Sequence, residues 1–144
     1  MTRYLGEDFL LPPLTPHNTP FFTAGSVQIQ FCRECGHAQH PPDDLCYACQ
    51  GTSLEFRATP GTGRVESAVL VHHPIHPALK DRVPYLVAVI SVDGAPGCNV
   101  TGNVVGCAPE DVAIGDSVRA VFEEATDPAS GQTLKIPQWE RTGG

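Results

Sequence analysis

The sequence predicts a mainly β chain: an N-terminal arm with a short helix, a four-cysteine metal ribbon, and a five-stranded closed barrel. Three observations carry this expectation. Cys32-Arg-Glu-Cys35 and Cys46-Tyr-Ala-Cys49 repeat one spacing with ten residues between the pairs. Beyond Arg64, five β-rich segments follow one another, separated by Gly and Pro signals. Before Val27, Pro12, Pro13, Pro16 and Pro20 forbid a continuous helix.

The arm, residues 1–26, begins polar and acidic and turns apolar at Phe9-Leu10-Leu11. Asn18 is expected to cap a short helix, with Pro20 in its first turn and Gly25 at its end. Phe9, Leu10, Leu11, Phe21 and Phe22 are too apolar for a solvated tail. They either lie over the chain's own surface or bind a partner, and the sequence leaves both open.

The ribbon, residues 27–58, opens with Val27-Gln28-Ile29-Gln30-Phe31, whose alternation predicts a strand with one buried face. It delivers the chain into Cys32. Two thiolates separated by two residues point at one ion when a tight turn joins them, and two such turns complete a tetrahedron. Gly36 suits the first turn because it takes positive φ without a Cβ penalty. Pro41-Pro42 turns the chain back, and Leu54–Ala58 leaves the ribbon as a strand.

Cys32, Cys35, Cys46 and Cys49 are thus the candidate metal ligands, with structural Zn²⁺ the leading ion and iron in the same cage the alternative. Four protein sulfurs leave no open position, so the ion would hold structure rather than perform chemistry. Disulfides are disfavoured, because the first residues are acidic where a secretory signal places an apolar run. A redox motif would need one pair in a βαβ setting. His37 and His40 read as surface groups or supports around the ligands, since four sulfurs already satisfy an ion.

Thr59-Pro60-Gly61-Thr62-Gly63 is the expected boundary before the barrel, residues 59–144. Its Gly-x-Gly lacks the strand-to-helix setting of a phosphate loop. The strands expected are Arg64–Val71, Tyr85–Val92, Cys98–Val105, Val118–Glu123 and Leu134–Trp139, with a helical turn at Ala108–Val112. Five strands with one small helix after the third suggest a Greek-key barrel of the OB type. The connection His72–Pro84 carries His72, His73 and His76. A second metal site there is opposed by the prolines and by the scarcity of nearby carboxylates, leaving an ordinary exposed loop or one that lines a ligand or partner. Cys98 and Cys107 lack metal spacing and read as small buried hydrophobes.

Composition narrows the function. The chain has 144 residues, 41% hydrophobic and 17% charged, room for one ordinary domain or a small domain with a metal-held module. Its net charge of −7 is spread over both parts: six acids and three bases precede Thr59, ten and six follow it. Nucleic acid is a poor partner for that balance, and no aromatic-basic interleaving appears. The apolar runs are too short to span a bilayer, which together with thiolate ligands makes the cytoplasm the expected location. No Ser-His-Asp series, carboxylate pair or activated Cys stands out, so no catalytic residues are nominated.

The ribbon followed by Gly61-x-Gly63-x-Val65, Pro84-Tyr85-Leu86-Val87-Ala88-Val89 and Ile114-Gly115-Asp116-x-Val118, with Pro20-Phe21-Phe22 and Phe31-Cys32 before them, resembles the zinc-ribbon OB-fold proteins long known as a domain of unknown function. The resemblance covers nearly the whole chain. It implies an acyl-CoA setting: a non-catalytic, hetero-oligomeric accessory subunit of a thiolase-superfamily enzyme, such as a lipid-transfer-protein-like aldolase of steroid side-chain degradation. Lining of the enzyme's CoA-thioester channel belongs to the same expectation. The alternatives are an acyl-CoA binding protein, a partner of a MaoC-like hydratase, and a single-stranded nucleic-acid module.

Overall fold

A computed structural model describes residues 3–143; Met1, Thr2 and Gly144, the outer ends of the expected arm and barrel, lie outside the described residues. The short helix α1 spans Thr19–Thr23. Strands β1 (Gln28–Cys32), β2 (Ala38–Gln39) and β3 (Leu54–Ala58) form a small antiparallel sheet with β1 in the middle. Strands β4 (Thr62–Val71), β5 (Tyr85–Val92), β6 (Asn99–Gly102), β7 (Val104–Val105), β8 (Ser117–Thr126) and β9 (Thr133–Arg141) form the second sheet, in the order β6-β5-β4-β8-β9-β7. Among the described residues no helix is long and apolar enough to cross a membrane.

The expected third barrel strand is cut in two, and the cut closes the barrel. β6 pairs antiparallel with β5, while β7 pairs parallel with β9, Val104 beside Trp139. One stretch of chain therefore seals both ends of the sheet order, giving the five-stranded OB barrel. Asn103 sits at the break, buried. Its amide donates to the Leu86 carbonyl (2.5 Å), its Oδ1 accepts from Gln138 Nε2 (2.9 Å), and its own N–H donates to Gln138 Oε1 (2.7 Å). The kinked backbone thus keeps partners for its polar groups.

Apolar alternation fills the interior. Val65, Leu86, Ala88, Ile90, Val100, Val104, Val118 and Trp139 are buried, and the cluster continues into Phe21, Val27, Ile29 and Phe31 of the arm and ribbon. Gly63 has a packing reason to be glycine: a Cβ there would collide with the Ser91 carbonyl oxygen. Thr59 extends the β1–β3 ladder by one step, donating to the Val27 carbonyl from its N–H (3.0 Å) and its hydroxyl (2.8 Å), just before the chain enters β4.

The arm lies on the barrel. Buried Arg3 donates to the carbonyls of Glu7, Phe9 and Leu10, the Tyr4 N–H donates to the Glu123 carboxylate, and the Tyr4 hydroxyl accepts from the Leu86 N–H. Phe21 is buried while Leu10 stays exposed. Asn18 departs from the expected cap. It has near-helical φ and ψ of −102° and −8° and caps no helix N–H; its Oδ1 accepts from the Thr15 N–H (2.8 Å) and its Nδ2 donates to the Pro13 carbonyl (3.0 Å). Its short amide is spent on the turn that precedes the helix.

Candidate metal centre

The four cysteines converge. Cys32 and Cys49 sulfurs lie 3.7 Å apart, Cys35 and Cys46 sulfurs 3.5 Å apart, and all four lie within 4.8 Å of one another. A tetrahedron with metal–sulfur bonds of about 2.3 Å has edges of about 3.8 Å. The donor set therefore fits one tetrahedral, thiophilic ion. Among the described residues it is also the only group of three or more candidate metal ligands within reach of one ion.

Two loops of matching design hold it. In the first, the Gly36 N–H donates to the Cys32 carbonyl and the Cys32 N–H to the His37 carbonyl, each at 2.9 Å. In the second, the Gln50 N–H donates to the Cys46 carbonyl and the Cys46 N–H to the Gly51 carbonyl, again at 2.9 Å. The fifth residue of each loop has positive φ, +78° at Gly36 and +59° at Gln50. Gly36 is the residue that sequence singles out; its counterpart Gln50 is not a glycine and carries no such signal.

Backbone N–H groups aimed at sulfur prepare the cage for negative charge. The N–H of Cys49 and then that of Ala48 hold the Cys46 thiol down at about 7. The Gly51 N–H acts in the same direction on Cys49, but burial and the hydrogen bonds with Cys32, Cys35 and Cys46 outweigh it and push that thiol up to about 12. Four thiols this close do not ionise together unaided, and a divalent cation removes the repulsion.

The second loop is fastened to the strands by two glutamines. Gln30 and Gln39 are buried, at 5% and 2% exposure. Gln39 Nε2 donates to Gln30 Oε1 (2.7 Å) and to the Leu45 carbonyl (2.9 Å), and its Oε1 accepts from the Tyr47 N–H (2.8 Å). Gln30 Nε2 donates to the Asp43 carbonyl while its Oε1 accepts from the Asp43 N–H, both at 2.9 Å. This corrects the expectation of a strand with one buried face: Ile29 and Gln30 are both buried, because the loop leading to Cys46 covers the polar side of β1.

The histidines go their separate ways. His37 is exposed and lies outside the cysteine cluster, whereas His40 is half-buried, packed at a tilt against Phe21 with ring centroids 4.8 Å apart, and held below the usual imidazole range by burial. With Phe22, Pro41, Ile136 and Pro137 it lines a cleft of about 440 Å³ between α1, the ribbon and the barrel. His72 and His73 are exposed. His76 Nδ1 accepts from the Ala78 N–H (3.1 Å), capping a 3₁₀ turn at Pro77–Leu79, and its ring meets Phe9 edge-on. Cys98 is buried and Cys107 only partly so, both against the core.

A four-cysteine ribbon docked on an OB barrel defines the class of protein: a mainly β chain whose ribbon carries a candidate metal cage. The profile of the ChsH2 C-terminal OB-fold domain matches residues 56–123. A DUF35 domain-containing scaffold protein of Methanothermobacter thermautotrophicus is 32% identical over 97 residues, covering 67% of this chain and 71% of the relative. The solved structure described as the Ltp2-ChsH2(DUF35) aldolase includes a chain superposing with a TM-score of 0.76 at 32% identity, over 92% of this chain and 100% of that one. The chain belongs to the DUF35 family. A probable enoyl-CoA hydratase alpha subunit of Thermomonospora curvata is 34% identical over 120 residues, but this chain spans only 36% of that relative's length.

Proposed function

We propose that this chain is a non-catalytic accessory subunit that binds and stabilises a thiolase-superfamily acyl-CoA enzyme in the cytoplasm, with Zn²⁺ held by Cys32, Cys35, Cys46 and Cys49. The observation that carries this reading is the likeness, over 92% of the chain, to a DUF35 chain solved as part of an aldolase. The zinc supplies folding free energy and no reaction step: four thiolates fill its coordination and fix the two loops. Around it, the arm (1–26), ribbon (27–58) and barrel (59–144) act as a unit presented to the enzyme, contributing to the wall of its CoA-thioester channel.

A second reading, partnership with a MaoC-like hydratase, is favoured by the relatives described as hydratase alpha subunits, one from Thermomonospora curvata and one, 28% identical, from Mycobacterium tuberculosis. Co-expression with candidate thiolase-superfamily and MaoC-like proteins from the source genome, followed by size-exclusion with light scattering and elemental analysis, separates the two. The first reading expects a stable complex with the thiolase-type protein and one zinc per chain. A chain that elutes alone in every pairing overturns both.

A further inference from the structure

The two neighbours of β4 cover different parts of it. β5 pairs with it from Gly63 to Val71, whereas β8 reaches only Thr62, Gly63 and Arg64. Beyond the bulge between Val65 and Ser67, the outer edge of β4 has no paired strand among the described residues.

The ladder on the covered side fixes what this edge presents. Leu86, the partner of Leu70, gives its N–H to the Tyr4 hydroxyl and its carbonyl to Asn103 Nδ2, so neither group is shared with Leu70. Leu70–Leu86 and, two residues on, Ala68–Ala88 are therefore the non-hydrogen-bonded pairs of this antiparallel ladder. The N–H and C=O groups of Ala68 and Leu70 point outward. Their side chains pack against the core, and Val69 between them faces away, 59% exposed. No Pro or Lys lies between Glu66 and Val71 to blunt the edge.

We infer that a second copy of this chain covers this edge, β4 pairing antiparallel with β4 about a two-fold axis at Val69. In that register Ala68 stands opposite Leu70 of the second copy, and the outward groups of both form hydrogen bonds on each side of the axis. Glu66 stands opposite His72 of the second copy, a carboxylate against an imidazole, and symmetry repeats the pair. Both are exposed in the single chain. Centring the axis on Ala68 sets Glu66 against Leu70, and centring it on Leu70 sets Glu66 against Pro74, which has no N–H to donate. Of the three, the Val69 register alone pairs the outward backbone groups and also sets the Glu66 carboxylate against an imidazole. It joins two barrels into one sheet through a self-complementary interface. The net charge of −7 on each copy opposes association, an effect screened beyond about 8 Å at physiological salt.

The test uses the full, zinc-loaded chain alone, so it fails or succeeds independently of any enzyme partner. Sedimentation from micromolar to submillimolar concentration at physiological salt is expected to show a monomer–dimer equilibrium. Val69→Lys, which sets two like charges face to face, weakens it by roughly tenfold or more. Val69→Cys cross-links to itself under mild oxidation, because Cα atoms of a non-hydrogen-bonded pair lie about 4.5 Å apart, within disulfide reach. Glu66→Cys does not, since its copy is about 20 Å away in this register. Glu66→Lys weakens the dimer and adding His72→Glu restores it. Unchanged zinc content and a melt that stays cooperative show that each variant is folded. A wild-type chain that stays monomeric throughout, equal cross-linking by the two cysteine variants, or no rescue by the charge exchange overturns the inference.

Discussion

Gln39 donates to Gln30 across the β1–β2 pair, Nε2 to Oε1 at 2.7 Å, and together with the bonds of Gln30 to Asp43 this contact couples the strand that ends in Cys32 to the loop that supplies Cys46. Removing one member strands that member's own partners. Gln39→Leu leaves the part-buried Tyr47 N–H and Leu45 carbonyl without their bonds, a loss of about 1–2 kcal/mol. Denaturant unfolding measures this, and chelator-driven metal release should quicken in parallel. Glu124→Gln, an exposed position on β8 far from the ribbon, should leave both near the wild-type values.

Removing the metal is expected to unfold the ribbon while much of the barrel persists. Each loop is short and its apolar contribution small, whereas the barrel has its own buried cluster around Ile90, Val118 and Trp139. Chelation should therefore abolish amide protection at Cys32–Cys49 first, read by hydrogen exchange. Cys46→Ser should lower zinc content and weaken enzyme binding together. Full zinc occupancy with unchanged assembly in that variant would contradict the clamp.

The cysteine cage and the β segments were legible because thiolate spacing and apolar alternation are local patterns. Gln30 and Asn103 were not. Gln30 occupies a polar position of an alternating strand, and only the return of the chain at Asp43 buries it. Asn103 lies in a run read as one strand; its break depends on Gln138, thirty-five residues later. Gln50 takes positive φ because the loop's hydrogen bonds require it, with no glycine to announce the fact.

Gln50→Gly follows from that last point. Relieving a left-handed backbone in a non-glycine residue should stabilise the ribbon by about 1 kcal/mol, seen as a higher denaturation midpoint and slower zinc loss. Gly36→Ala in the matching loop should cost a similar amount, although its Cβ meets nothing within 4 Å.

Gly63→Ala should cost about 3 kcal/mol, since a Cβ would press on the Ser91 carbonyl and the Ile90 side chain, and the barrel must shift to admit it. Gly97→Ala is the instructive contrast: its Cβ would meet nothing, and only its positive φ of +77° opposes the change. Thermal melting should rank the first variant well below the second.

His40 gives the fold a pH dependence of defined sign. Burial beside Phe21 disfavours its charged form, so its folded value lies below the ordinary 6.5. Between those two values the unfolded chain binds the proton and the folded chain does not, so stability present above pH 6.5 is lost as pH falls toward the folded value and then levels off. The comparison is with His40→Phe, which keeps an aromatic ring in the cleft and changes no other ionisable group. The wild type should lose more stability than the variant between pH 7 and pH 5, measured by denaturant midpoint. Parallel losses would mean that His40 stays accessible to protons in the folded chain, and that the cleft between α1 and the ribbon is wetter than its apolar lining implies.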